Sequence, residues 1–352
     1  MRMMEQREAD VGLIAALNTM GLEGLDPDSI ADEFRDPLIR LASSWSASVT
    51  ASTLASRRCD LRRFARWCER KGVLPLSSSS VLSELMESHV MDVGRTLSAG
   101  STQRVGSALS ALAKALDSDR ASRGAQERRR LAVRAAQRSV VPTGTTHQKP
   151  RLTVSEMQSM RGSIEMEAAS SLRALRDLAI FDTMCDILAR RSEIKQMLGR
   201  DLDLSAGTIR ISYSKTDQAG RGSIFTISPR TVASIEAWLD ASGLGDIDVE
   251  DAGALPVFVG IMNDGKIRLT ADGQPDPIDG RTVARALQRY AATLGISGVA
   301  GHSLRRSMAR ALYEANVPEE EIVRKGRWSS LNQMREYVGL TAPIQGAVNL
   351  IF

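Results

Sequence analysis

Within 36 residues near its C-terminal end the chain carries a His-x-x-Arg pair, His302 and Arg305, then Trp328 in Gly-Arg-Trp, then Tyr337 nine residues beyond. Arg190 and Glu193 lie over a hundred residues upstream in Ala-Arg-Arg-Ser-Glu-Ile, and Lys215 stands between the two clusters in Tyr-Ser-Lys-Thr-Asp. These side chains suit phosphoryl transfer on DNA. A phosphodiester is anionic and attack on it builds further negative charge, so catalysis without metal needs fixed cations around the non-bridging oxygens. Arginine stays protonated and its planar fork grips two oxygens at once. Arg190 and Arg305 are the candidates, each expected to supply about 3 kcal/mol, as a preorganised donor does elsewhere. The Arg190-Arg191 doublet leaves the register open, with Arg191 as the alternative.

Tyr337 is the candidate nucleophile, because a phenol attacking phosphorus gives a covalent phosphotyrosine that conserves the energy of the broken strand. Of the other three tyrosines, Tyr213 falls on a predicted strand, while Tyr290 and Tyr313 follow apolar helical periods and read as packing residues. Lys215, at the mouth of a predicted hairpin, can protonate the departing 5′ oxygen. His302, three residues before Arg305, can share a helix face with it. Trp328 can offer its indole N–H to a phosphate oxygen while its ring packs beneath the tyrosine helix. Glu193, one turn from Arg190, is placed to buttress an arginine or histidine rather than to touch DNA.

Elements that position these groups can be read from periodicity. At 352 residues two domains are expected. Residues 1–25 are weakly patterned, with at most a short helix around 11–18. Residues 26–138 read as helices at 29–44, 52–71, 77–96, 101–116 and 126–138. Residues 139–152, rich in Pro, Gly and Thr, read as a linker. Thr153-x-x-Glu156 is a capping-box signature that opens a second domain, 153–352, with an apolar tail from about 341. There, 171–198 reads as helix, turn and a second helix near Arg190. Strands are expected at 208–213 and 223–227, with another pair within 257–269, and helices at 230–239, 280–294, 303–315, 318–325 and 331–338. The class is mostly α with a small sheet.

The net charge is only +4, but pI is about 9.1 and the arginines cluster. Arg57, Arg58, Arg62, Arg63 and Arg66 share one helix with Asp60 alone among them. Arg128, Arg129, Arg130 and Arg134 follow on another beside a single acid, Glu127. Gln103 and Arg104 open a helix that can meet a groove. All are candidate contacts to DNA phosphates. Cys59, Cys68 and Cys185 have neither disulfide nor zinc spacing, so no metal or cofactor is expected. The charged N-terminus and the lack of a long apolar run predict a cytoplasmic protein without a membrane partner.

The order Arg, Glu, Lys, His-x-x-Arg, Trp, Tyr resembles the tyrosine recombinase (phage integrase) family, particularly its Cre-type branch. The likeness also takes in Arg173-Ala-Leu-Arg-Asp, Gly301-His-Ser-Leu-Arg and, less specifically, Leu61-Arg-Arg-Phe-Ala-Arg-Trp-Cys. It implies a C-shaped clamp of a helical core-binding domain and a mixed α/β catalytic domain on double-stranded DNA. It also implies a homotetramer on two inverted-repeat sites, a 3′-phosphotyrosine, a Holliday junction, a tail docking on its own or a neighbouring protomer, and a prokaryotic, phage or plasmid origin. Leu188-Ala189 depart from the small-residue turn usual before the first arginine, and Trp328 stands where many members have a second histidine. A DNA-binding regulator without chemistry and a type IB topoisomerase-like strand-swivelling enzyme are the competing readings.

Overall fold

Two hydrophobic cores organise the chain, one in each of two units, Met1–Thr146 and His147–Phe352. The computed structural model describes residues 2–116, 123–139, 151–212, 222–245 and 253–339. The side chains of 2–9, 123–126, 129 and 137–139 are outside that description. Lys215, Tyr213 and the tail from 341 are likewise outside the described residues.

Unit 1 is helical: α1 (Arg2–Met20), α2 (Asp32–Ser48), α3 (Ala51–Lys71), α4 (Ser79–Gly94), α5 (Ala99–Leu116) and α6 (Arg123–Ser139). The weakly ordered start expected for 1–25 is corrected. Leu13, Ala16, Leu17 and Met20 recur at helical spacing and are buried in the first core, so α1 is an integral element. Helix α2 begins later than expected because Asp26 caps a separate 3₁₀ turn at Pro27–Ser29. Ser98, not Ser101, stands at the head of α5, with its hydroxyl accepting from the Ser101 N–H. Helix α6 lies tight on its neighbours: a Cβ at Gly94 would strike Ala136, and one at Gly106 would strike Val133.

Unit 2 starts at the predicted capping box. The Thr153 hydroxyl accepts from the Glu156 N–H at 3.1 Å and the Glu156 carboxylate accepts from the Thr153 N–H at 2.6 Å, opening α7 (Val154–Ala168). Helices α8 (Leu172–Asp186) and α9 (Arg191–Gln196) follow. A three-stranded antiparallel sheet, β1 (Leu202–Asp203), β2 (Thr208–Ile211) and β3 (Ser223–Thr226), pairs Ile209 with both Leu202 and Phe225. The expected strand pair within 257–269 is only a run of isolated bridges, two of them to Pro275 and Pro277, where an absent N–H stops a ladder. Then come α10 (Pro229–Ser242), α11 (Gly280–Thr293), α12 (Ser303–Glu314), α13 (Glu319–Gly326) and α14 (Leu331–Val338). Asp186, closing α8, accepts from the Ser228 N–H and the Thr231 hydroxyl at the head of α10, tying the two helices together. A smaller core, with Leu188, Ala309, Ile322, Trp328, Met334 and Val338, lies beneath the tyrosine helix.

Candidate active site

Four backbone segments of unit 2 meet at the elbow between α8 and α9. Leu188 is fully buried and left-handed there, with φ of 49°, a conformation that costs a side-chain-bearing residue about 1–2 kcal/mol. The turn aims the Leu188 carbonyl inward, where Arg305 of α12 donates to it. The other arm of Arg305 donates to the Gly326 carbonyl at the end of α13. Its guanidinium lies 4.6 Å from the Trp328 ring centre and 5.9 Å from that of Tyr337, and the two rings are 5.3 Å apart. Arg305, Trp328 and Tyr337 thus form one contiguous cluster, the two rings tilted 54° to each other and Arg305 only 1% exposed.

Arg190 faces this cluster. Its side chain donates to Glu193 at 2.7 Å and to the Arg327 carbonyl at 3.3 Å, while its backbone N–H meets the other Glu193 oxygen at 2.7 Å. Arg191 turns away, donating to the Gly280 carbonyl and packing where a Cβ on Gly301 would collide with it. Of the doublet, therefore, Arg190 joins the cluster.

Charge is in surplus here. Burial, together with the charges of Arg190 and Arg327, pushes Arg305 down to about 9. Burial also raises the Tyr337 phenol above its usual value, outweighing the pull of Arg305, Arg190 and Arg306. The Tyr337 hydroxyl is shielded from solvent and meets no hydrogen-bond acceptor or donor in good geometry among the described residues. One carboxylate, Glu193, lies among three guanidiniums, so the cluster carries net positive charge.

His302 immediately precedes α12 at its N-cap and is exposed, so it and the buried Arg305 do not present equally. Arg327 was not singled out from the sequence. It is 9% exposed and left-handed at φ of 55°, and it donates to the Ile187, Lys325 and Leu188 carbonyls and to Glu193 at 2.7 Å. The available signal was its place between Gly326 and Trp328, where α13 must stop and the chain reverse. Tyr290 is buried as expected, but Tyr313 is 36% exposed beneath Arg310 and is not a packing residue.

The basic helices of unit 1 carry more ion pairs than their sequence suggests. Arg62 pairs with Glu23, Arg104 with the fully buried Asp60 at 3.1 Å, Arg128 with Glu87 at 3.2 Å and Arg130 with Glu127 at 3.8 Å. Arg57 lies 4.6 Å over the Trp45 ring, and Arg58 and Arg63 are half-buried. Arg66, Gln103 and Arg134 are exposed, as are Arg104, Arg128 and Arg130 despite their partners, and the Arg129 side chain is outside the described residues. No cluster of His, Cys, Asp or Glu able to hold a metal occurs, and no helix is long and apolar enough to cross a membrane, among the described residues.

A buried arginine cluster beside a tyrosine on a short C-terminal helix defines a class of protein, and comparison supplies its family. Residues 150–342 match the phage integrase family. The chain belongs to that family, the tyrosine-type site-specific DNA recombinases. It is similar to the "Integrase/recombinase xerD homolog" of Selenomonas ruminantium, 25% identical over 301 residues that span 82% of this chain and 81% of the relative. The "Tyrosine recombinase XerC" of Pelobacter propionicus is 22% identical over 228 residues, 61% of this chain and 68% of the relative. Among solved structures, the XerH site-specific recombinase bound to palindromic difH substrate, in its post-cleavage complex, shares the fold with a TM-score of 0.59 at 14% identity, covering 97% of this chain and 96% of that one. The Tn1549 transposon integrase with transposon right-end DNA does so with a TM-score of 0.60 at 14% identity, covering 88% and 96%.

Proposed function

We propose that this recombinase cuts DNA by attack of Tyr337 on a backbone phosphorus, with Arg190 and Arg305 holding the non-bridging oxygens. The observation that carries the reading is the Arg305–Trp328–Tyr337 cluster with Arg190 at its edge. A phosphate meeting this cluster relieves the mutual repulsion of the guanidiniums, and the same charges stabilise the extra anion of the five-coordinate transition state. The phenol, raised by burial, is neutral until it attacks and must then give up its proton; His302, exposed at the head of α12, is the candidate acceptor. Lys215 is assigned the proton delivered to the leaving 5′ oxygen. Trp328 holds Tyr337 in place, and Glu193 orients Arg190. Cleavage then leaves a 3′-phosphotyrosine and a free 5′ hydroxyl.

On the larger scale the reading is of a Cre-type enzyme acting as a homotetramer on two short inverted-repeat sites through a Holliday junction, with unit 1 (its core-binding part taken as 26–138) as DNA-binding domain and 153–352 as catalytic domain. Arg66, Gln103, Arg104, Arg128, Arg130 and Arg134 offer exposed contacts, Arg57, Arg58, Arg62 and Arg63 half-buried ones, and Arg129 belongs to the same basic helix as Arg128. Incubating the wild-type chain with a randomised duplex pool and recovering covalent adducts tests the function and yields the preferred site. Tyr337→Phe should abolish the adduct while DNA binding persists. An adduct of wild-type yield in that variant would refute the assignment, and relaxation of site-free plasmid without recombinants would favour strand swivelling.

A further inference from the structure

Glu193 is saturated by two arginines that differ in what else they can do. One oxygen accepts from the Arg190 side chain, and the other accepts from the Arg190 backbone N–H and from Arg327. The Arg190 side chain is 16% exposed and able to reach a ligand, whereas that of Arg327 is 6% exposed. The terminal nitrogens of Arg327 are committed to the Ile187, Leu188 and Lys325 carbonyls and to Glu193, and its plane lies 4.8 Å from the Phe225 ring of β3. These contacts tie it to the elbow and to Glu193. Its backbone makes the same point from another direction. A left-handed φ of 55° is free for glycine and costly for arginine, so a side chain kept here must recover that cost through its contacts.

We propose that Arg327 is a positioning residue of the cleavage reaction, holding the Glu193 carboxylate, and through it the Arg190 guanidinium, in the orientation that meets the phosphate. The proposal rests on the assignment of Arg190 made above. As Arg190 turns donors toward the incoming phosphate, Glu193 loses part of its compensation, and a carboxylate whose side chain is 1% exposed is costly to leave without a hydrogen-bonded cation. Arg327 supplies that cation from the protein side. Since Arg327 and Arg305 both donate to the Leu188 carbonyl, the same residue also pins the elbow on which both catalytic arginines depend.

The test uses the full chain and a nicked suicide duplex carrying the pool-selected site, under single turnover with protein in excess. Arg327→Gly removes the side chain while suiting the backbone. It should slow adduct formation on the order of 10- to 100-fold, the scale of a small misplacement of a reacting group, with DNA affinity held within about twofold. Arg327→Lys keeps a point charge but not the fork and should fall between Arg327→Gly and wild type. Glu193→Gln should slow the same step, and Glu193→Gln with Arg327→Gly should be no slower than the slower single variant. Wild-type cleavage by Arg327→Gly overturns the proposal, as do losses that multiply in the double variant. If Arg327→Gly fails to melt cooperatively, Arg327→Lys decides: slower cleavage at unchanged affinity supports the role, and a wild-type rate overturns it. Absence of any adduct from the wild-type chain would instead strike the proposed function itself.

Discussion

Gly326→Ala sets two physical effects against each other with opposite signs. Alanine at the last residue of α13 favours the helix by about 0.5–1 kcal/mol over glycine. The added Cβ, however, would overlap the edge of the six-membered ring of Trp328. Carbon atoms separate at about 3.5–4.0 Å, so the indole must retreat by roughly 1.5–2 Å. It has little room to do so, because Leu188, Ile322, Met334 and Val338 around it are fully buried. Overpacking of this kind costs about 1–3 kcal/mol and outweighs the gain in helix propensity, leaving the variant about 1–2 kcal/mol less stable. The chemical consequence is larger. The retreating ring disturbs both the 4.6 Å contact with Arg305 and the 5.3 Å contact with Tyr337, and Arg305 also hangs from the Gly326 carbonyl. A shift of this size at the nucleophile should slow adduct formation by about 100-fold or more, close to 2.7 kcal/mol in barrier, with DNA affinity little altered. Denaturant melts and single-turnover adduct assays measure the two effects separately. A variant that is more stable than wild type and cleaves at the same rate would refute the idea that Trp328 wedges the nucleophile into place.

Further outcomes concern unit 1. His89 is 1% exposed between Phe64 and Trp67, its ring nitrogens without hydrogen-bond partners; burial, helped by Arg63 and Arg70 and opposed by Asp92, drops it from 6.5 to about 4. The unfolded chain therefore binds the proton first, and unit 1 should lose about 3 kcal/mol as pH falls from about 6.5 to about 4; His89→Leu should flatten that part of the stability curve, and an unchanged curve would contradict the reading. Arg104→Ala strands the buried Asp60 carboxylate, which burial already raises, and should cost about 1–3 kcal/mol at neutral pH; adding Asp60→Asn should recover part of it, as urea titration would show. Duplex affinity should fall steeply with salt, and Arg134→Ala, exposed and without an ion pair among the described residues, should lower the slope of log affinity against log salt by about one, whereas Arg128→Ala, tied to Glu87, should lower it less.

Much of the site could be read from local pattern. The tyrosine helix, 331–338, and the capping box at Thr153 and Glu156 follow from signals carried within a few residues of chain, and the structure places them there. What escaped depends on neighbours distant in sequence. Counting acids within one helix made α3 and α6 look bare, yet Arg62 finds Glu23 on the loop after α1 and Arg128 finds Glu87 on α4. Arg327 reads as one more surface charge until the fold brings Ile187, Leu188 and Glu193 around it. Helix α1 was underrated because its charged first turns mask an apolar stripe that begins only at Leu13. The bridges around 259–277 fail as strands through glycine and proline spacing that an alternation of apolar residues does not weigh.

The suspension of Arg305 from the carbonyl oxygens of Leu188 and Gly326 has a bearing on engineering. Main-chain acceptors are present whatever residue occupies the position, so no single replacement can delete them. If unit 1 is the DNA-binding domain proposed above, libraries that vary its exposed residues leave this anchor, inherited from the path of the backbone, in place.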